Sequence, residues 1–198
     1  ENLNRKIIKR KNCWCAISIH EDEDIFCIKT HINLKRNNFK PITIIIPRHI
    51  NKSKSIKNNC EKFNLKSQIL SKNDIINFDN DIIIVNSYGV IPNYLELCKS
   101  VFIGKSTIKR LKNVGGQDPI EAAKLGCKIY HGPYVYNFYE IYKLLSKLNL
   151  SEEVRTEAQL AKKIYNDFKN FKNTKSKKVS TINNLGKKIL KDTCNELL

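Results

Sequence analysis

Two adjacent glycines, Gly115 and Gly116, stand just before Asp118-Pro119-Ile120-Glu121 in a chain with only 7 glycines among 198 residues. Glycine takes positive φ without steric cost, so the pair suits a tight turn. The following residues read as a helix start. Asp118 serves as N-cap, Pro119 as first helical residue, Glu121 as the far end of a capping box and Gly126 as the stop. A glycine turn feeding a helix N-terminus also brings backbone N–H groups close to an anion, which the helix dipole favours. The chemistry on offer is phosphate binding; the plain alternative is a turn.

Polar or glycine-bearing clusters follow other short apolar runs: Ser18 and His20, Arg48 with His49, Ser87 and Gly89, and Gly104-Lys105-Ser106. Arg48 can make a charge-assisted, bidentate contact to a phosphate or carboxylate, or be a surface arginine. Ser18 and His20 can hydrogen-bond the same anion, although His20 also fits a helix start. The acids at 21–24 read as dipole partners in a first helical turn, not as catalysts.

The elements that must position these groups alternate. Strands are expected at 13–19, 42–46, 67–70, 81–85, 101–103 and 127–130, and helices at 21–34, 52–63, 91–98 and from 118. Asn137 with Glu140 reads as a capping box for a helix to Leu148, Thr156 with Gln159 as another, and the tail from Ser176 as a lysine-rich amphipathic helix. Short strands alternating with helices imply an α/β fold, a Rossmann-like parallel sheet covered on both faces. Ligands of such sheets sit outside the C-terminal strand ends, where the clusters named above fall.

Composition narrows the partners. With 41% hydrophobic residues the chain can bury a core. The net charge of +17 would suit nucleic acid or an anionic membrane, but the lysines are spread along the whole chain. No interleaved aromatic stacking motif or zinc-finger spacing is present, so nucleic acid is not expected. Seven scattered cysteines, mostly in apolar runs, suit thiols in a reducing compartment. No run approaches the ~18 apolar residues of a spanning helix. No carboxylate cluster asks for a metal, and no cofactor is expected. The chain contains no methionine, which suggests a fragment.

The succession SIHEDE, IIIPRH, SYG, FIGKS, GGQDPIEAAKLG and HGPYVYNFYEI, from residue 13 to 142, covers about two-thirds of the chain. In order and spacing it resembles the C-terminal half of the 3-deoxy-D-manno-octulosonic acid (Kdo) transferases of lipopolysaccharide synthesis. The resemblance implies a GT-B fold whose C-terminal half binds CMP-Kdo as donor substrate. The other half would hold the lipid A precursor and the catalytic general base, and no catalytic residue is assigned in this chain. Residues 1–12 would then be a linker remnant and 13–198 the donor-binding domain, with the N-terminal acceptor domain absent. The donor-binding residues implied are Ser18, His20, Arg48, Ser87, Gly89, Gly104, Lys105, Ser106, Gly115, Gly116, Asp118, Glu121 and Asn137, with Glu121 matching the ribose ligand. Gln117-Asp118 stands where the family has His-Asn, Tyr134 where it has His, Lys105 where it has Gly and Val90 where it has Glu. The place implied is the cytoplasmic face of the bacterial inner membrane, with peripheral contact to its anionic surface. Another GT-B nucleotide-sugar transferase or epimerase, or a non-catalytic basic binding module, are the alternatives.

Overall fold

The computed structural model describes residues 12–36, 39–170 and 180. The linker assigned to 1–12, all but its last residue, and the tail helix from Ser176 lie outside the described residues apart from Ser180.

The first strand, β1 (Cys13–Ile19), sends Cys13, Cys15 and Ile17 into one apolar layer and Trp14 and Ala16 into the other. That is the period of two expected of a strand buried on both faces. Six strands join it: β2 (Ile42–Pro47), β3 (Ser67–Leu70), β4 (Ile82–Val85), β5 (Ser100–Ile103), β6 (Lys128–His131) and β7 (Ser151–Glu153). All pairings are parallel and the order is β3-β4-β2-β1-β5-β6-β7. The isoleucine runs of β2 and β4 suit the centre of such a sheet, where both faces are dry.

Helices α1 (Glu23–Lys35), α2 (Ser53–Lys62) and α6 (Glu157–Lys169) cover one face; α3 (Ile91–Leu95), α4 (Ile120–Lys124) and α5 (Tyr139–Lys147) cover the other. Leu95, Ala122, Ala123, Tyr142 and Leu145 close the second layer, and Cys27, Ile28, Leu34, Ile56, Leu160 and Ile164 the first. The Rossmann-like expectation is therefore met.

Local expectations fared unevenly. Thr156 caps α6, its Oγ1 accepting from the Gln159 N–H at 3.2 Å, while Gln159 Oε1 accepts from Arg155 N–H at 2.8 Å. At Asn137 the expected capping box is replaced. The helix starts at Tyr139 after a 3-10 turn, and the Asn137 Nδ2 amide donates to the Val114 carbonyl at 3.0 Å. The 91–98 helix ends at Leu95. Strand β7, Ser-Glu-Glu, carries no apolar signal and exists because Ile129 to His131 offer it an edge.

Chain direction reverses between β1 and β5. From β1 the chain builds toward β2, β4 and β3, and β5 begins the other half on the opposite side. A crevice at the C-terminal ends of these two strands is the switch point where open α/β sheets take ligands.

Candidate functional site at the strand ends

The loops leaving β1, β2, β5 and β6 are laced together by their backbones. The Arg48 N–H donates to Ile19 O at 2.9 Å, Gly104 N–H to Ile17 O at 2.9 Å, Gly116 N–H to Lys105 O at 2.7 Å and Tyr134 N–H to Ser106 O at 2.9 Å. At the centre of this lacing lies Glu23, buried at the start of α1. Its carboxylate accepts from the backbone N–H groups of Lys105 at 2.6 Å, Ser106 at 2.9 Å, Thr107 at 3.1 Å and His20 at 3.1 Å, and from the Thr107 hydroxyl at 2.9 Å. Successive N–H groups converging on one anion form the kind of concavity that binds phosphate in other sheets. Here the protein supplies the anion itself.

This arrangement corrects several expectations from sequence. The acids at 21–24 are not all dipole partners: Glu23 is turned into the β5 loop, and Asp24 is buried against Asn59 Nδ2 at 2.7 Å. The amides of Gly104 and Gly116, expected to face a phosphate, are engaged within the protein, as are those of Lys105 and Ser106. Ser106 is itself fully buried. Its hydroxyl donates to Ile103 O at 2.7 Å and accepts from the Gly132 N–H at 2.9 Å. The glycines serve close approach: a Cβ on Gly104 would stand 2.6 Å from Ser18 O, and one on Gly115 2.4 Å from Tyr134 O. Helix α4 has five residues, and only the Asp118 half of the expected capping box is present. Asp118 Oδ1 accepts from the Ile120 N–H at 2.8 Å, and Glu121 is exposed with no capping bond.

The side chains that remain gather around two open clefts. Ser18, Arg48, Ser87 and Gly89 line one of about 300 Å³, together with Ile46, Pro47 and Ile91. Ser18 reaches it because β1 bulges there, with φ of 54° and a register shift between Ile17 and Ile19. His20 and Lys105 line a second cleft of about 440 Å³, with Lys52, Ile108 and Arg110. His49 belongs to both. Each has the volume of a small-molecule site. Asp118, Glu121 and Asn137 lie on the α4 side, and neither cleft is lined by them.

Electrostatically the clefts are cationic. Lys52 pairs with Glu21 at 3.3 Å and Arg110 with Asp22 at 3.6 Å, exposed pairs that water screens. Among the described residues no carboxylate pairs with the side chains of Arg48 or Lys105. Burial pulls the His20 imidazole below its ordinary pKa; Glu23 opposes this, and Lys105, His49 and Arg48 add to it. Its Nε2 is buried without a hydrogen-bond partner among the described residues, and a buried polar atom of this kind calls for one. Lys52 and Arg110 escaped the sequence reading, and His49 entered it only as the neighbour of Arg48, because each is an ordinary surface residue until the loops bring them together. Glu23 left a faint trace, an acid in a first helical turn in a chain whose β5 loop is rich in polar residues.

No family model matches the chain. Over 149 residues it is 25% identical to the 3-deoxy-D-manno-octulosonic acid transferase of Aquifex aeolicus (strain VF5), covering 75% of this chain and 40% of that protein. With the transferase of Rickettsia prowazekii (strain Madrid E) it shares 28% identity over 162 residues, 81% of this chain and 34% of the other. The chain is similar in sequence to the 3-deoxy-D-manno-octulosonic acid transferases. It spans well under half the length of these transferases. Its fold matches the crystal structure of the C-terminal CMP-Kdo binding domain of WaaA from Acinetobacter baumannii, with a TM-score of 0.78 over 90% of each chain at 17% identity. The Staphylococcus aureus MnaA-UDP structure shares the fold more distantly, with a TM-score of 0.51 at 9% identity over 91% of this chain and 43% of that one. The similarity to these transferases thus agrees with the GT-B class of fold expected from the motifs.

Proposed function

We propose that this chain is the donor-binding half of a glycosyltransferase that moves Kdo from CMP-Kdo to a lipid A precursor. The observation carrying the reading is the convergence of Ser18, His20, Arg48, Ser87 and Lys105 around two adjoining cationic clefts at the sheet's switch point. CMP-Kdo has two negative groups, the phosphate and the sugar carboxylate, and such a crevice suits both. The amides of the β5 loop already hold Glu23, so anion recognition falls to side chains, with Arg48 and Lys105 the cations free of carboxylate partners among the described residues.

Transfer with inversion passes through an oxocarbenium-like state in which negative charge grows on the departing CMP phosphate. Fixed cations stabilise that charge more than they stabilise the ground state. Arg48 and Lys105 supply them, and neutral His20 supplies a hydrogen-bonding nitrogen beside them. The general base that activates the acceptor hydroxyl comes from the acceptor-binding half of the enzyme. Glu121, exposed on the α4 side, is the residue that would reach the ribose. The reaction belongs at the cytoplasmic face of the bacterial inner membrane. A net charge of +17 favours an anionic surface, and among the described residues no helix is long and apolar enough to cross a membrane.

The test is calorimetric titration of the chain with CMP, UDP and AMP. Selective CMP binding that falls by about 1.5–3 kcal/mol in Arg48→Ala is the expected result. Preference for UDP would transfer the site to another nucleotide-sugar enzyme, and no nucleotide binding would leave a basic module without donor chemistry.

A further inference from the structure

Tyr88 is 70% exposed, and among the described residues neither a ring contact nor a hydrogen bond holds its side chain. A single exposed tyrosine is ordinary. This one stands on the rim of the Arg48 cleft, on a loop whose root is fastened. The Asn86 N–H donates to Leu70 O at 2.8 Å, and Asn86 Oδ1 accepts from Ser53 Oγ at 3.1 Å. Beyond it Gly89 turns with φ of 73°, where an added Cβ would meet nothing within 4 Å. Glycine is therefore needed there for backbone conformation and not for space. The same cleft is lined by the aliphatic Ile46, Pro47 and Ile91, of which Ile46 is buried, and by the polar Arg48 and Ser87. An exposed aromatic ring sharing a cleft with aliphatic side chains, a guanidinium and a hydroxyl matches a planar heterocycle attached to an anion.

We propose that Tyr88 is the platform on which the nucleobase of the bound nucleotide stacks, a reading that rests on the donor-site assignment above. The base lies between the tyrosine ring and the aliphatic lining of the cleft, and its phosphate extends toward Arg48. Stacking is tolerant of which base is present, so Tyr88 contributes affinity for the base while neighbouring polar groups discriminate among bases.

The experiment titrates parent, Tyr88→Phe, Tyr88→Ala and Gly89→Ala with CMP and with ribose 5-phosphate, which lacks the base. Tyr88→Ala is expected to weaken CMP about tenfold and to leave ribose 5-phosphate unchanged. Tyr88→Phe should keep CMP affinity within about twofold, because the ring and not the hydroxyl does the stacking. Gly89→Ala should weaken CMP through the misplaced ring. Melting curves without ligand should show Tyr88→Ala folded as stably as the parent. Equal CMP affinity in Tyr88→Ala and parent overturns the platform and leaves the donor site standing. So does equal loss of CMP and ribose 5-phosphate. A parent that binds no CMP overturns the donor site, and the platform with it.

Discussion

The carboxylate of Glu23 accepts a hydrogen bond from the backbone N–H of Ser106, 83 residues further along the chain, at 2.9 Å. The same group holds Lys105, Thr107 and His20, so one side chain joins the loops after β1 and β5 across the switch point. Removing it leaves several donors in a dry place, each costing about 1–3 kcal/mol. Glu23→Ala is therefore expected to lose about 3 kcal/mol or more in urea unfolding. Glu23→Gln should lose less, since its amide keeps one acceptor oxygen but turns an NH2 toward other donors.

Lys105 offers a separation of charge from backbone. It holds φ of 56°, a conformation glycine adopts freely and side chains resist. Lys105→Gly should leave stability unchanged or raise it by up to about 1 kcal/mol. CMP binding should fall, because one of the two cleft cations without a carboxylate partner among the described residues is gone. Thermal melts with and without CMP read both effects, since a ligand that binds only the folded state raises the melting temperature.

Glu121 is exposed and makes no capping bond, so its exchange for glutamine should alter stability by less than about 0.5 kcal/mol. A carboxylate that receives both ribose hydroxyls cannot be matched by an amide with one acceptor oxygen. Glu121→Gln is expected to weaken CMP about tenfold, roughly 1.4 kcal/mol. Unchanged affinity would move the ribose ligand elsewhere.

At the N-terminal ends of β2 and β4, pH acts on folding. His31, fully buried with its Nδ1 on Thr43 Oγ1 at 2.9 Å, places Nε2 3.5 Å from Asp81. That imidazole holds the Asp81 carboxyl well below the usual carboxylate range. Lys35 at 2.7 Å and the Lys66 N–H at 3.0 Å assist, against the opposing effect of partial burial. A depressed folded pKa contributes stability that is present above the unfolded value, about 3.9, and is lost as pH falls toward the folded one. Asp81→Asn should be less stable than the parent near neutrality, and the gap should narrow below about pH 4. Denaturant titrations across that range check the sign; a gap of constant size would remove Asp81 from the acid response.

Much of the architecture was legible because the isoleucine runs at β2 and β4 admit few readings other than buried parallel strands. The C-terminal ends of β1, β2 and β4 likewise bring Ser18, Arg48 and Ser87 to one end of the sheet. What stayed hidden depends on pairings distant in sequence. The helix-dipole reading of Glu23 was reasonable from its neighbours alone, since nothing near residue 23 tells of amides at 105–107. Gly115 and Gly116 were read for their N–H groups, whereas Gly115 is pressed against Tyr134 O and the Gly116 amide is taken by Lys105 O. Asn137 matched a local capping motif, but Val114 competes for its side chain and the helix begins later.

The layer formed by α1 and α2 carries Cys27 and Cys60, both fully shielded from solvent. Burial, with Glu23 and Asp24 adding, pushes the Cys27 thiol far up, and burial pushes Cys60 up to about 12. Alkylation needs a thiolate within reach of the reagent, so neither sulfur reacts while its helix lies on the sheet. The rate of labelling at these two positions consequently clocks how often that layer lifts away. Set beside the labelling of Cys15 in the central strand, it tells whether the two helices open as a unit of their own or only when the whole domain comes apart.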